Sequence, residues 1–482
     1  MDFQETLFYH SKSFIRNEPT GLSCYIICRT QLKGFFDPAC WDKTLNHIIN
    51  CHPLLHSILS EESDKPEMIT LPEYPTFKSS YEDITSMNKE QQETFFLQKD
   101  EKDHDHRFDL KEYPLFYCNI YKTGEDEHEL IIHIDHQIID GFSFFQFLQE
   151  LTSTYDQFIA GKEITVEQEK GLTFSDYVFV ERFRRQTKRY QNAMDFALKV
   201  FKDLPEKISI PTKCQPSLIN KVHFNTLHTE LDSLLMNKVL EISSHTSGIC
   251  LNSLLMACYF KLMNLWSGQN DLIINMPVFN REQHLPNAKN IIGSFLDIFP
   301  VRIQTSPQEP IVSIARKIEQ FVRTMLEYPI SSIELSRKIA EQEGLKQSSL
   351  SAIIFSNSIN MLPKGISHSS RYLTIGAPKV QTGAPGTYID LVMYTWENKW
   401  CFDWNYVREL FDAEYIQLLS EQFTSMLNQL VDDTNTKGYE ERSCSNILPL
   451  FYIKLLEQTN KTEHAYPLKT CLLYTSDAAD EL

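Results

Sequence analysis

Three observations predict an α/β fold with more than one lobe. The first is the run ELIIHIDHQIIDGFSFFQFLQELTSTY at residues 129–155. There Leu130, Ile132, Ile134 and His136 alternate with Ile131, His133 and Asp135, the period of a strand, and Phe144, Phe147, Leu148, Leu151 and Tyr155 then recur at helical spacing. A strand therefore hands over to a helix across residues 137–141 and leaves His136 at the strand's end. The second is that strand-like and helix-like runs alternate through both halves of the chain. The third is size and balance: 482 residues, 42% hydrophobic and 23% charged, can bury a large core and divide into lobes.

The elements are justified in order. Residues 22–32 (LSCYIICRTQL) are apolar and β-branched enough for a strand. Asp37 followed by Pro38 reads as a helix N-cap and first helical position, and Trp41, Leu45, Ile48 and Ile49 give that helix its apolar face. Residues 115–121 and 129–135 form two strand patterns across a polar turn, a hairpin that would present His136. The charged run at 181–203 is helix-like, is expected to bridge the lobes, and exposes a solvated face. In the second half, 231–243 and 252–266 have helical period, and IIFSN at 353–357 reads as a strand.

Composition excludes several classes of function. With a formal net charge of −18 and no basic block, nucleic acid and anionic membranes are poor partners. No apolar run is long enough to span a bilayer. Eleven cysteines without CxxC pairs, and a first segment (MDFQETLFYHSKSF) without a signal peptide's apolar core, lead to the expectation of free thiols in the cytoplasm. His104 and His106 lack the companions of a metal site and are expected at the surface, so no metal ligands are assigned. Gly141–Ser143 lacks the trailing Gly of a nucleophile elbow, and no phosphate-cradling or dinucleotide fingerprint occurs.

The run from Asp135 to Gly141 (DHQIIDG) resembles the HHxxxDG signature of the condensation-domain superfamily of acyltransferases, with Asp135 in place of the first His. That superfamily includes condensation domains of nonribosomal peptide synthetases and freestanding coenzyme A-dependent enzymes. Other segments resemble the family's landmarks in its order across residues 20–431. His52-Pro53-Leu54-Leu55-His56 is similar to "HPxLR", with His56 for Arg, and His106–Leu110 with Pro114-Leu115 is similar to "pFDL…gPL". LTFSDY at 172–177 resembles "yaDYa", and residues 268–281 resemble "tGqxDixiGxPvxxR" with Asn275 for Gly. Residues 291–302 resemble "lIGfFvNtlPlR" with Asp297 for Asn, and Tyr328-Pro329 falls at the "hxyPf" segment. Ile389-Asp390-Leu391, Asn405-Tyr406 and Leu410-Phe411-Asp412 resemble the closing hairpin and helix.

The resemblance implies two chloramphenicol-acetyltransferase-like lobes, residues 1–178 and 179–431, forming a V-shaped pseudodimer with an active-site tunnel between them. Asn460-Lys461-Thr462 with Tyr466-Pro467 resembles the linker to an adenylation domain, so 432–470 is expected to lead toward one. Residues 471–482 (CLLYTSDAADEL) resemble a translated sequencing adapter, and the natural sequence is expected to depart from them.

The chemistry implied is acyl transfer from a thioester to an amine, which needs a base, an oxyanion donor and alignment of two reactants. An imidazole titrates near neutrality, and the resemblance makes His136 the catalytic residue. Gly141, with its amide at a helix start, is a candidate oxyanion donor. Asp140 has two readings: an N-cap, or, by resemblance, the partner of an arginine that shapes the His loop, for which Arg281 is the candidate. Asp135 is expected beside the active site rather than on the substrates, with a carboxylate that raises the His136 pKa. No cofactor is expected to be bound permanently. Substrates would arrive on the phosphopantetheine of peptidyl or acyl carrier proteins, or on coenzyme A, and the basic residues of 181–203 offer an alternative dock for acidic carriers. A freestanding coenzyme A-dependent acyltransferase and a non-catalytic carrier-docking domain are the alternatives.

Overall fold

The alternating run before His136 is the central antiparallel strand of a six-stranded sheet, seen in a computed structural model. The structure describes residues 24–435 except 61–66, 165–171, 220–221, 247, 280, 282–287, 328–329, 345–349, 360–370, 384–385 and 397–398. The expectations for Tyr328-Pro329, for 436–470 and for 471–482 lie outside these residues.

In chain order the first half contains β1 (Tyr25–Gly34), α1 (Pro38–Cys51), β2 (Ser57–Ser60), β3 (Glu67–Thr70), β4 (Ser80–Asp83), α2 (Lys89–Asp105), β5 (Phe116–Lys122), β6 (Glu127–Asp135), α3 (Gly141–Ile159), α4 (Phe174–Arg185) and α5 (Lys188–Val200). The predicted N-cap is present: the Cys40 amide donates to Asp37 Oδ1 at 2.8 Å. The predicted hairpin pairs β5 with β6, Phe116 opposite Ile134, while β1 flanks β6 with Tyr25 opposite Asp135. Period 2 sends Ile132 and Ile134 to one face, where they bury against Trp41, Leu45, Ile48 and Ile49 of α1 and Phe144, Phe147 and Leu151 of α3.

The second half contains β7 (Phe224–Leu231), α6 (Ser233–His245), α7 (Leu251–Ser267), β8 (Asp271–Phe279), β9 (Leu296–Gln304), α8 (Ile311–Glu327), α9 (Ser332–Gln342), β10 (Ile353–Asn357), β11 (Leu373–Ile375), β12 (Lys379–Gly383), β13 (Ile389–Trp396), β14 (Lys399–Val407) and α10 (Ala413–Asn435). Its sheet runs β7-β14-β13-β10-β8-β9, parallel only where β10 meets β8 and β13. Nearly every residue of α7 is buried, as a helix apolar all round requires. The buried Lys261 donates to the carbonyls of Ser306, Pro307 and Glu309.

Two features could not be read from local pattern. Strands β11 and β12 leave the second half and pair on β1, with Leu32 opposite Ile375 and Tyr25 opposite Gly383, so the first sheet is completed by the second half of the chain. The division expected at 178/179 falls inside α4. The charged run is two helices broken where Thr187 caps α5, and Glu181 partners Arg184 and Arg185 within the run. Among the described residues, no helix is long and apolar enough to cross a membrane.

Candidate active site

Strand β6 ends at Asp135, and a short turn over residues 136–140 leads into α3. His136 is fixed there from its backbone, its amide donating to Cys24 O at 2.9 Å, and its side chain is buried. Burial lowers the imidazole below its ordinary pKa, against an opposing contribution from Asp140, so the neutral, proton-accepting form prevails at neutral pH.

The loop after His136 is held by Asp140. Both readings of this residue apply at once. Its Oδ1 caps α3, accepting from the Ser143 amide at 2.7 Å, and accepts from Arg281 Nη2 at 2.8 Å. Its Oδ2 accepts from the Phe295 amide at 2.9 Å, and its own amide donates to Gly293 O at 3.0 Å. Arg281 also donates to Ile291 O at 2.7 Å and to Ser143 Oγ, and lies over the rings of Phe142 and Phe295 at 4.5 and 4.4 Å. The buried carboxylate is thus fully engaged by a cation and two amides, the arrangement a charge needs away from water. Gly293 lets the strand-side loop approach: a Cβ there would stand 2.6 Å from the Phe174 ring.

Gly141 opens α3 with ordinary backbone, and a Cβ added to it would meet no atom within 4 Å.

Asp135 is buried, accepts from the Gln137 amide at 2.9 Å, and is pushed up by burial to about 7. The expectation that it raises the His136 pKa is corrected, since the carboxylate acting on His136 is Asp140. Asp135 acts instead on Cys24, whose thiol is raised by burial and then by Asp135 and Asp390. Asp390 on β13 is buried too, pushed up to about 6, and accepts from Ser356 Oγ at 2.7 Å and Thr382 Oγ1 at 3.0 Å. This second carboxyl, with its two hydroxyl donors from β10 and β12, was not singled out from the sequence; nothing short of the strand pairing brings 356, 382 and 390 together. Ser143 was likewise missed as a hub: its Oγ accepts from the Gly293 amide at 3.0 Å and donates to Gly293 O at 2.8 Å.

Residues at the departures from the family pattern have local partners. His56 is buried, stacks on Tyr74 and pairs through Nδ1 with Leu71 O at 3.0 Å. Asn275 donates to Ser351 O at 3.0 Å, and Asp297 accepts from the Ile333 amide at 3.3 Å. His104, expected at the surface, is buried against Tyr25, whose hydroxyl is 3.1 Å from its Nδ1, because α2 covers that face of β1. His106 is exposed.

A family model described as the condensation domain matches residues 2–446. Bacitracin synthase 1 of Bacillus licheniformis is 25% identical over 406 residues, which is 83% of this chain but 8% of that protein. Among solved structures, the cyclization-docking bidomain of the peptide synthetase EpoB from Sorangium cellulosum superposes with a TM-score of 0.78 at 18% identity, covering 92% of this chain and 85% of that one. The starter condensation domain of rhizomide synthetase, crystallised as a mutant with C8-CoA, gives 0.74 at 14% identity, covering 89% and 94%.

Proposed function

This chain belongs to the condensation-domain family of the nonribosomal peptide synthetases, and we propose that it joins an acyl thioester to an aminoacyl acceptor through an amide bond. The two reactants would be carried on phosphopantetheine of peptidyl or acyl carrier proteins, with acyl-coenzyme A, which presents the same thioester, as the alternative donor. The supporting observation is the placement of His136: a buried, neutral imidazole on a loop locked by Asp140 and Arg281, five residues before a helix-opening amide.

In this mechanism the acceptor amine attacks the thioester carbonyl carbon as His136 takes the amine proton. The carbonyl electron pair moves onto oxygen and is met by the Gly141 amide, where the helix start favours negative charge. Collapse restores the carbonyl and breaks the C–S bond, and the departing thiolate receives the proton held by His136. Asp140 and Arg281 position the loop without touching substrate.

A second reading is favoured by Asp390 together with the likeness to a cyclization domain. With carboxyl pKa values near 7 and 6, Asp135 and Asp390 hold a proton for part of the time at neutral pH, unlike ordinary carboxylates. A protonated carboxyl beside a newly formed amide could donate to its oxygen as an acceptor side-chain hydroxyl or thiol closes on the carbonyl carbon, expelling water.

Mass spectrometry of the full chain with acyl- and aminoacyl-loaded carriers, or their small thioester mimics, tests both. Amide product that vanishes in His136→Ala supports the first reading. Product lighter by one water, reverting to the open amide in Asp390→Asn, supports the second. Carrier binding without product from any donor would leave the docking-domain alternative, and product only from coenzyme A thioesters the freestanding one.

A further inference from the structure

In the second sheet, four ligand-type side chains sit on one face of the β7–β14 ladder. His228 lies opposite Asp403 and Glu230 opposite Cys401, so strand period and register bring the four together. Asp403 is fully buried with both oxygens engaged: Oδ1 lies 2.6 Å from His228 Nδ1, and Oδ2 accepts from Tyr394 OH at 3.1 Å. The Asp403 bond holds the imidazole proton on Nδ1 and turns the Nε2 lone pair outward, as a carboxylate behind a metal-bound histidine does.

That Nε2 faces Glu230 Oε1 at 4.0 Å, while the other Glu230 oxygen is held by Lys399 at 2.6 Å. Cys401 Sγ completes the group, and one ligand atom from each of His228, Glu230 and Cys401 lies within 4.8 Å of the others. Zinc bond lengths put ligand atoms about 3.3–3.8 Å apart in a tetrahedral site, so the side chains must close by about 1 Å, within the reach of Glu230 on the surface. Lys379 and Lys399 face the same group and oppose a cation; Lys399 can keep its Glu230 oxygen while the other binds.

The geometry points to a divalent metal site of the zinc class, with His228 Nε2, Glu230 Oε1 and Cys401 Sγ as ligands and Asp403 orienting the histidine. Thiolate plus imidazole selects zinc or cobalt over magnesium and calcium, which need oxygen cages. Glu230 is exposed and His228 partly so, leaving water for the fourth position. Coordination releases the thiol proton of Cys401 to solvent. Because β7 is an edge strand, the ion would staple it to β14, a structural role separate from chemistry at His136.

The test uses the full chain, reduced, at pH 8: equilibrium dialysis against zinc with elemental analysis, and titration with Co²⁺ followed by its thiolate charge-transfer band. One equivalent bound, with a band that Cys401→Ser and His228→Gln abolish and Cys258→Ser leaves, is the expected result. Asp403→Asn should weaken binding about 10–100-fold. If Cys401→Ser does not fold, Glu230→Gln on the surface must lower cobalt affinity at least about tenfold, as loss of a ligand should exceed loss of an outer partner. No stoichiometric binding, a band that survives Cys401→Ser, or unchanged affinity in Glu230→Gln would each overturn the site.

Discussion

Replacing Asp140 with Asn separates capping from charge at the loop that carries His136. An Asn keeps one carbonyl oxygen, enough to accept from the Ser143 amide, but puts an NH₂ where Oδ2 now accepts from Phe295. Two donors then face each other, and Arg281 keeps only neutral acceptors: the retained amide oxygen, Ile291 O and Ser143 Oγ. Leaving a buried charge without its counter-ion costs about 3–5 kcal/mol, whereas the cap alone is worth about 1 kcal/mol. The expected loss for Asp140→Asn is therefore about 3–5 kcal/mol. Arg281→Met should cost a comparable amount, and the double variant less than the sum by about 1–3 kcal/mol, since the pair shares one interaction. Urea unfolding of the four proteins, compared where the slopes agree, measures this cycle. Raising salt to about 0.5 M should leave the coupling largely intact, because screening acts on exposed pairs. Costs that add within about 0.5 kcal/mol, or an Asn variant as stable as the parent, would refute the ion pair as the loop's anchor.

Gly141→Pro should fold with a thermal midpoint close to the parent's, because residue 141 is the first of its helix, where proline is tolerated, and Asp140 before it is extended, yet it removes the amide and should lose at least about tenfold in amide formation if that amide meets the oxyanion; unchanged turnover would remove that role. Asp135 is protonated more readily in the folded chain, with its carboxyl raised from 3.8 to about 7, so its contribution is most favourable below pH 3.8 and is lost as pH rises to about 7. Asp135→Asn should accordingly flatten the fall in stability across that window and be the more stable protein at pH 8, as urea midpoints at several pH values would reveal; parallel profiles for the two proteins would contradict the buried acid. Gly293→Ala forces a Cβ to 2.6 Å from Phe174 and 3.2 Å from Leu54, and should destabilise by about 1–3 kcal/mol in the same unfolding assay; a neutral result would mean the contact relaxes freely.

What was legible in the sequence was what short-range physics controls. Period 2 in β6, the Asp37-Pro38 start of α1 and the switch to helical spacing in α3 each depend on neighbours within a few residues, and each is present. The pairing of Asp140 with Arg281 spans 141 residues and was reached through resemblance, because no local pattern encodes it. The same reasoning explains the failures. His104 sits in a polar stretch and reads as a surface residue, but α2 lies on the Tyr25 face of β1 and buries it. Asp390 looked like one position in a strand motif; its hydroxyl partners arrive from β10, by parallel pairing, and from β12, which the first sheet has captured.

The position of His136 is consequently a property of both halves of the chain. Its strand and the backbone acceptor of its amide, Cys24 O, come from the first half, and so does the helix that follows. The groups that hold the intervening turn come from the second: Arg281, the Phe295 amide and Gly293 O. Strand β12 adds a further tie by pairing along β1 up to Tyr25, one residue from Cys24 and directly opposite Asp135. A loop held only by its own half could shift with every fluctuation between the halves. Here, any displacement of the second half relative to β1 must break a buried ion pair and a strand ladder before it moves the imidazole. The two anchors therefore make preorganisation of the histidine and docking of the halves a single energetic event.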